Sequence, residues 1–316
     1  MKVFITRKFP GEPEKILKAE GFDASVYQSE EPVPRNEFLN KCKNADAIIT
    51  SLTDKVDKEA LDTFTKCKVV ANYAVGYNNI DVDYARKKKI IITNTPDVLT
   101  DATADVAASL ILGCARRLRE GEAIMRAADS INWKPSFLLG LELKNKTLGI
   151  IGAGRIGQAT AKRMHGFGCK IIYFNRSKKE NFEKEIGAKK VSLNTLLKNS
   201  DIVSVHLPLN EKTFHLLDEE KLKLLKPDSI IVNTSRGEVI EEMALIKLLK
   251  KKKIFGAGFD VYEGEPKINP ELQKLDNVFL LPHIGSATIE TRFAMSALCV
   301  QNVTNVLKGK KPVTPV

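Results

Sequence analysis

Several residue groups in this 316-residue chain could carry chemistry, and the most specific is Gly152-Ala153-Gly154-Arg155-Ile156-Gly157. The motif stands between an apolar run at 148–151 and an amphipathic helical pattern at 156–167. In that context the first glycine permits a tight turn, the second lets the backbone approach a pyrophosphate, and the third lets helix and strand pack closely. The helix N-terminus then presents N–H groups to the anion. The motif predicts a dinucleotide site and redox chemistry; the alternative is a glycine loop that serves only a turn.

Four polar side chains that could transfer a proton or bind an anion also follow apolar runs. His283 lies in Pro282-His283-Ile284-Gly285, and imidazole changes charge near neutral pH. Arg236, Asp260 and Glu265 follow two other runs. The carboxyl ends of parallel strands collect the active-site groups of open α/β sheets, and together these side chains could reduce a carbonyl compound. Each alone is also typical of an ordinary loop, and a lone histidine is typical of a packed core.

The choice of nicotinamide cofactor depends on the residues about 18 positions past the glycine motif, where NAD sites usually place a carboxylate. This chain has Asn175-Arg176-Ser177 there, followed by two lysines. Arg176 can pair with a 2′-phosphate and Ser177 can donate a hydrogen bond, whereas a carboxylate would repel the phosphate. The segment favours NADP(H). The alternative is an exposed arginine on a turn of a site that binds NAD(H).

The elements that position these residues follow from an alternation of short β-branched runs with amphipathic helical patterns, which is typical of parallel sheets. The predicted strands lie at 3–6, 47–50, 69–72, 90–93, 147–151, 170–174, 202–206, 230–234, 255–260 and 278–281. We therefore expect an α/β protein with two doubly wound parallel-sheet units. Long helices at about 100–127 and 286–307 would connect them, with Gly309 ending the second helix and that helix returning to the first unit.

Charge and composition argue against several other classes of function. The net charge of +11 comes from dispersed lysines and two short runs, 86–89 and 250–253, that look like solvated helix ends. They lack interleaved aromatic residues, so they do not predict nucleic-acid binding, but a basic field favours small anionic substrates and a phosphorylated cofactor. Five cysteines without a C-x-x-C spacing predict packed thiols and no metal site. No run looks membrane-spanning or like a signal peptide, so we expect a cytoplasmic protein.

Several motifs, in the same order and over nearly the whole chain, resemble those of the D-isomer-specific 2-hydroxyacid dehydrogenases. They are G-A-G-R-I-G at 152–157, H-L-P-L at 206–209, N-T-S-R-G at 233–237, D-V-Y-E-G-E-P at 260–266 and P-H-I-G-S-A at 282–287. Three segments are most similar to the glyoxylate/hydroxypyruvate reductases of that family, namely N-T-P-D-V-L-T at 94–100, W-K-P at 133–135 and N-R-S at 175–177.

The resemblance implies a discontinuous architecture. A Rossmann dinucleotide-binding domain, 99–285, would be inserted in a flavodoxin-like substrate domain formed by 1–98 and the C-terminal helix region 286–316. The active site would lie in the cleft between the domains, and hinge closure would exclude water.

The resemblance also implies catalytic and substrate-binding roles. Arg236 would bind the substrate carboxylate and keto oxygen, and His283 would protonate that oxygen. Glu265 would hold the imidazole and favour its protonated form. The substrate would also contact a set of first-domain residues, Leu52, Val75 and Gly76, the last two through backbone N–H groups.

The cofactor contacts that the resemblance implies include Asp260, at the nicotinamide carboxamide, and the Thr234 backbone, beside the ring. The full set is Thr103, Gly152, Gly154, Arg155, Ile156, Gly157, Asn175, Arg176, Ser177, Leu207, Pro208, Thr213, Thr234, Ser235, Asp260, His283 and Gly285. Trp133, the only tryptophan, could fill the core, but the family places its segment at a dimer contact, so we expect a homodimer.

One departure from the family pattern is Asn78, which replaces an acidic residue beside the substrate loop, and we expect minor consequences. Glu265 argues against the formate dehydrogenase branch, where a glutamine accompanies the histidine. The main expectation is NADPH-dependent reduction of glyoxylate and hydroxypyruvate to glycolate and D-glycerate. The enzymatic alternative is D-lactate dehydrogenase or reduction of another small 2-keto acid. A different class is a dinucleotide-sensing corepressor that binds partner peptides, although the sequence lacks the long flexible tails expected of it.

Overall fold

The computed structural model describes residues 1–316, which divide into two compact units. The first unit comprises Met1–Leu99 and Ser286–Val316, and the second comprises Thr100–Gly285. No helix in either unit combines the length and the apolar character that crossing a membrane requires.

The first unit begins with alternating strands and short helices. They are β1 (Lys2–Ile5), α1 (Pro13–Ala19), β2 (Asp23–Val26), α2 (Arg35–Cys42), β3 (Ala47–Ser51), α3 (Lys58–Thr63), β4 (Val69–Tyr73), α4 (Val82–Lys87) and β5 (Ile91–Thr93).

The second unit follows, and the chain then returns to the first unit through one long helix. The elements of the second unit are α5 (Thr100–Ala115), α6 (Leu118–Ala127), β6 (Thr147–Ile151), α7 (Arg155–Gly166), β7 (Lys170–Phe174), α8 (Glu180–Ile186), β8 (Lys189–Lys190), α9 (Leu193–Asn199), β9 (Ile202–Val205), α10 (Glu219–Leu222), β10 (Ile230–Asn233), a 3-10 turn (Gly237–Val239), α11 (Glu242–Lys250), β11 (Gly256–Phe259), α12 (Pro270–Gln273) and β12 (Val278–Leu280). The returning helix is α13 (Ile289–Leu307).

The sheet of the first unit has five parallel strands in the order β2-β1-β3-β4-β5. Every residue of β3 and β4 is buried, as expected for strands covered by helices on both faces. The returning helix packs into this unit, where Tyr73 donates a hydrogen bond to the carbonyl of Arg292 at 2.7 Å and Ser296 donates one to that of Pro10 at 2.5 Å. The last helix therefore belongs to the first unit.

The sheet of the second unit has seven parallel strands in the order β12-β11-β10-β9-β6-β7-β8. Strand β6 pairs with β7 on one side and with β9 on the other, so the strand order reverses there. Ile150 and Ile151 point to opposite faces, and each joins a separate apolar core between the sheet and its helices. The expected doubly wound α/β class is confirmed in both units.

Some predicted elements were wrong in detail. The single helix expected at 100–127 is two helices, because Arg117 has a φ of 52°, a left-handed conformation that ends α5 and starts α6. Strand β2 was missed because only Ala24 of its four residues is buried, and β8 because it consists of two exposed lysines. The basic runs do lie at helix ends, over and just past the C-terminal ends of α4 and α11, where cations interact favourably with the helix dipole. All five cysteines are buried thiols.

Candidate active site

The glycine motif forms the turn between β6 and α7, at the point where the strand order reverses. Gly152 has a φ of 97°, and a Cβ at this position would lie 2.6 Å from the backbone oxygen of His206. A Cβ on Gly157 would lie 2.2 Å from the backbone oxygen of Gly152, whereas a Cβ on Gly154 would meet open space. The turn therefore requires two of its glycines for packing and leaves room beside the middle one.

The surroundings of this turn fit a dinucleotide. Helix α7 starts after Gly154 without a side-chain cap and without an acidic residue in its first turn. At the ends of the adjacent strands β9 and β10, two buried polar atoms lack a hydrogen-bond partner, Nδ1 of His206 and Oγ1 of Thr234. Burial lowers the pKa of His206 to about 3, so this ring stays neutral beside Ser204, its partner at 2.8 Å. Uncapped N–H groups and unpartnered polar atoms are what a bound dinucleotide would satisfy.

Other predicted cofactor contacts lie around the same edge of the sheet. Leu207 comes within 2.9 Å of a Cβ placed on the first glycine of the motif. The loop that follows is closed by Thr213, whose hydroxyl donates to the carbonyl of Pro208 at 2.6 Å. Thr103, near the start of α5, lies 3.3 Å from a Cβ placed on Gly285. These positions make the contacts possible; the roles themselves stay predictions.

The segment that should choose the cofactor forms an exposed turn after β7. The side-chain amide of Asn175 donates to the carbonyl and the hydroxyl of Ser177 at 2.9 and 3.3 Å, and Lys190 donates to the carbonyl of Arg176 at 3.1 Å. The Arg176 side chain is exposed and has no acidic partner, so its charge is available to a phosphate. Lys178 contributes less than expected, because it lies 3.4 Å from Glu183.

Arg236 projects from a turn after β10 that the buried Asn233 shapes. The amide nitrogen of Asn233 donates to the carbonyl of Arg236 at 2.8 Å, and its oxygen accepts from the backbone and hydroxyl of Ser235 at 3.0 and 2.8 Å. Burial lowers the pKa of the Arg236 guanidinium, and the charge of Glu265 opposes that shift. The group stays a cation at neutral pH and can bind an anion.

The turn that carries Arg236 packs backbone to backbone against the turn that carries Glu265. A Cβ on Gly237 would lie 1.9 Å from the carbonyl carbon of Tyr262 and 2.2 Å from the backbone nitrogen of Glu263. The sequence analysis missed the close contact at Gly237 and the role of Asn233, although both Asn233 and Gly237 belong to the N-T-S-R-G motif. The signal that could have revealed the role of Asn233 was an asparagine at the end of a strand, where its side chain can form hydrogen bonds with the backbone of the next turn.

Glu265 and His283 form a hydrogen-bonded pair, with 2.8 Å between Oε2 of the carboxylate and Nδ1 of the ring. The other carboxylate oxygen accepts from the backbone nitrogen of Tyr262 at 2.8 Å. Burial opposes ionisation of Glu265, but the hydrogen bond and charge of His283 outweigh it, and the pKa of Glu265 lies below its usual range. Because Nδ1 is engaged, Nε2 is the ring nitrogen left for proton transfer.

Asp260 fixes the loop that carries His283. Its two carboxylate oxygens accept from the backbone nitrogens of Ile284 and Gly285, both at 2.7 Å. His283 has a φ of 54°, which is uncommon for a residue with a side chain, so these bonds hold a strained conformation. Burial raises the pKa of Asp260, in spite of these N–H donors. The contact with the nicotinamide carboxamide stays a prediction beside this observed structural role.

In the first unit, the predicted substrate residues lie at the carboxyl ends of adjacent strands. Leu52 follows β3, and Val75 and Gly76 follow β4. Strands β3 and β4 pair in register up to their last residues, so the two loops leave the same edge of the sheet. All three residues are partly exposed.

Residues 118–139, here called the arm, expose an apolar surface. No residue of α6 is buried, and Trp133 is 83% exposed, so the tryptophan does not fill a core. The other exposed apolar side chains of the arm are Leu118, Met125, Ile131, Phe137 and Leu139. Exposed apolar surfaces are typical of interaction sites.

Comparisons with known proteins agree with this geometry. The sequence profile described as "D-isomer specific 2-hydroxyacid dehydrogenase, NAD binding domain" matches residues 108–285. A glyoxylate reductase of Thermococcus litoralis is 50% identical over 315 residues, which are 98% of this chain and 95% of that protein.

Two solved structures cover nearly the whole chain. The NADPH-dependent glyoxylate/hydroxypyruvate reductase of Sinorhizobium meliloti, in complex with NADP and malonate, is 31% identical, with a TM-score of 0.85 over 100% of this chain and 96% of that chain. The D-lactate dehydrogenase of Aquifex aeolicus, complexed with NAD and lactic acid, is 29% identical, with a TM-score of 0.87 over 98% of this chain and 96% of that chain.

The chain therefore belongs to the D-isomer-specific 2-hydroxyacid dehydrogenase family. It is an oxidoreductase that uses a nicotinamide dinucleotide, and within the family it is close in sequence to the glyoxylate reductases.

The structural role of Asp260 predicts the effect of Asp260→Asn. The amide nitrogen of Asn cannot accept, so one N–H group of the His283 loop loses its acceptor, at a cost of about 1–3 kcal/mol. We expect kcat to fall roughly 10-fold or more as His283 leaves its position, because 1.4 kcal/mol corresponds to about a factor of ten.

The matched control is Asp201→Asn. Asp201 also accepts from a backbone nitrogen, that of Thr147 at 2.7 Å, but at the opposite end of the same sheet. This variant should lower the melting temperature and leave kcat unchanged. A wild-type kcat in Asp260→Asn would contradict the assignment of Asp260.

Proposed function

We propose that this protein reduces glyoxylate and hydroxypyruvate to glycolate and D-glycerate, with NADPH as the preferred hydride donor. The observation that carries the proposal is the Glu265–His283 pair, because it leaves Nε2 of the imidazole as a proton donor beside a turn that carries a guanidinium. The sequence similarity to glyoxylate reductases supports the choice of substrate.

The residues of the chain divide the reaction among them. Arg236 binds the 2-keto acid through its carboxylate and keto oxygen, and holds the carbonyl in a fixed orientation. A reduced nicotinamide, when bound, would supply the hydride that the carbonyl carbon accepts. His283 gives the proton on Nε2 to the keto oxygen, so that the product is a 2-hydroxy acid. Glu265, ionised at neutral pH, stabilises the imidazolium before the transfer and fixes the ring orientation.

The cofactor would be held by the glycine turn and the first turn of α7 at its phosphates, with Thr234 and His206 at the neighbouring strand ends. The preference for NADPH depends on Arg176. Its exposed guanidinium has no acidic partner, and no carboxylate lies in Asn175-Arg176-Ser177 to repel a 2′-phosphate. A solved relative, the reductase of Sinorhizobium meliloti, is described as NADPH-dependent, which supports this assignment.

A second candidate is reduction of pyruvate to D-lactate, which similarity to the D-lactate dehydrogenase of Aquifex aeolicus favours. Pyruvate differs from glyoxylate by one methyl group, and an apolar pocket discriminates such a difference by only about 10–200-fold. A corepressor-like binding role has no need of a proton donor paired with a carboxylate.

The proposal predicts the outcome of a kcat/KM panel with glyoxylate, hydroxypyruvate and pyruvate, each with NADPH and with NADH. We expect glyoxylate and hydroxypyruvate to exceed pyruvate, and NADPH to exceed NADH. In Arg176→Ala, the KM for NADPH should rise by about 10- to 100-fold and that for NADH should stay unchanged, because only NADPH has the phosphate.

Three outcomes of the same panel would contradict the proposal. A kcat/KM for pyruvate at or above that for glyoxylate would favour D-lactate dehydrogenase. Equal weakening of both cofactors by Arg176→Ala would show that Arg176 does not contact the 2′-phosphate. No turnover with any keto acid would favour a binding protein.

We also propose that the protein is a homodimer in which the arm packs against a second copy. The arm exposes six large apolar side chains, among them Trp133 and Leu118. Burying them against a second copy would remove apolar surface from water and so stabilise the dimer. The W-K-P segment also resembles a stretch that the family uses at its dimer contact.

The arm predicts the behaviour of Trp133→Glu. A charge in this surface should disrupt its burial against a second copy, so sedimentation should show a dimer for the wild type and a monomer for the variant. The matched control is Ile16→Glu, at a 42% exposed position of α1, which should remain a dimer. A dimeric Trp133→Glu variant would contradict the proposed role of the arm.

A further inference from the structure

The loop after β4 is anchored through its backbone carbonyl groups. Three consecutive carbonyls accept hydrogen bonds: that of Ala74 from the backbone nitrogen of Thr95 at 2.9 Å, that of Val75 from Nδ2 of Asn94 at 2.8 Å, and that of Gly76 from Nδ2 of Asn72 at 2.9 Å. Each peptide plane of the loop is therefore fixed from one side.

The direction of the loop N–H groups follows from these anchors. In a trans peptide the C=O and the N–H point in opposite directions, and the peptides of this loop are trans. The N–H of Val75 shares a plane with the carbonyl of Ala74, and the N–H of Gly76 shares one with the carbonyl of Val75. Both N–H groups therefore point away from the anchors, and neither donates a hydrogen bond in the structure. Two adjacent N–H groups oriented in this way can bind a carboxylate.

Asn94 anchors the second of these planes from a rigid position. Its backbone pairs with the C-terminal segment, since its nitrogen donates to the carbonyl of Thr314 at 3.3 Å and the Thr314 hydroxyl donates to its carbonyl at 2.6 Å. That segment is held in turn by the buried Asn302, which accepts from the backbone nitrogens of Val313 and Thr314 at 2.8 and 3.1 Å. Asn94 therefore couples a firmly held strand end to the loop.

We propose that Asn94 is a positioning residue for substrate binding. By holding the Val75 carbonyl, its side-chain amide keeps the N–H of Gly76 directed at the carboxylate of the 2-keto acid. This inference rests on the proposed function, and it gives a task to Asn94, the first residue of the N-T-P-D-V-L-T segment. Asn94 does not touch the substrate in this account; it acts through the peptide plane.

The test is the KM for glyoxylate in Asn94→Asp and Asn94→Ala, with the best 2-keto acid of the panel used if glyoxylate is a poor substrate. Asp has the size of Asn but cannot donate, and its charge repels the Val75 carbonyl. Because the carboxylate contact is made equally in the ground and transition states, its loss should raise KM without changing kcat. We expect the KM of both variants to rise by about 10- to 100-fold, the range for a hydrogen bond to a charged group.

Two further measurements separate positioning from a general loss of structure. The KM for NADPH and the kcat at saturating substrate should stay within about twofold of wild type, since an interaction lost only from substrate binding changes neither. The matched control is Asn199→Ala, whose side-chain amide also donates to a backbone carbonyl, that of Thr195 at 2.9 Å, but at the exposed end of α9. It should leave the KM for glyoxylate unchanged.

The failures are distinguishable. An unchanged KM for glyoxylate in folded Asn94→Asp would overturn the role of Asn94, whatever its effect on the melting temperature. A fall in kcat together with rises of the same size in the KM for glyoxylate and in the KM for NADPH would assign Asn94 a purely structural role. That result would also overturn the inference. A wild-type protein that turns over no 2-keto acid would instead overturn the proposed function on which the inference rests.

Discussion

The hydrogen bond between Glu265 and His283 determines which ring nitrogen can transfer a proton, and the rest of the second unit holds it in place. The two residues come from loops after neighbouring strands, β11 and β12, which pair in parallel register. Asp260 holds the imidazole loop in a left-handed conformation, and the tight contact at Gly237 holds the carboxylate turn against that of Arg236. The geometry of the Glu265–His283 pair therefore depends on a few backbone hydrogen bonds and on Gly237, which has no side chain.

At the carboxyl edge of each sheet, some polar groups form hydrogen bonds within the protein, and others remain available to a ligand. Asn233 and Asn94 each donate a side-chain hydrogen bond to a backbone carbonyl, that of Arg236 and that of Val75. These bonds orient the two turns. In contrast, buried polar atoms of His206 and Thr234 lack partners at the edge where the cofactor is expected. Buried polar atoms without partners are costly, and a ligand bound at this edge would satisfy these two.

Local patterns in the sequence predicted the parts of the structure that depend on local physics. The glycine turn was predictable because Gly152 needs a positive φ and Gly157 needs close packing, and both needs appear in the spacing of glycines. The break between α5 and α6 was not predictable, because the helical sequence pattern continues through Arg117 and nothing in it indicates the positive φ of this residue. The role of Asp260 was hidden because its partners lie 24 and 25 residues away, and only the pairing of strands brings them together.

The measurement that tests the central claim most directly is the pH profile of kcat/KM for the keto acid in wild type and in Glu265→Gln. Reduction needs a protonated imidazole, so kcat/KM should be flat in acid and decline as the pH rises. Gln keeps the shape of Glu265 and removes the negative charge beside the imidazole, so kcat/KM at neutral pH should fall, with activity partly recovered in acid. His283→Ala should lose activity at every pH. An unchanged decline in Glu265→Gln, or full activity in His283→Ala, would contradict the account.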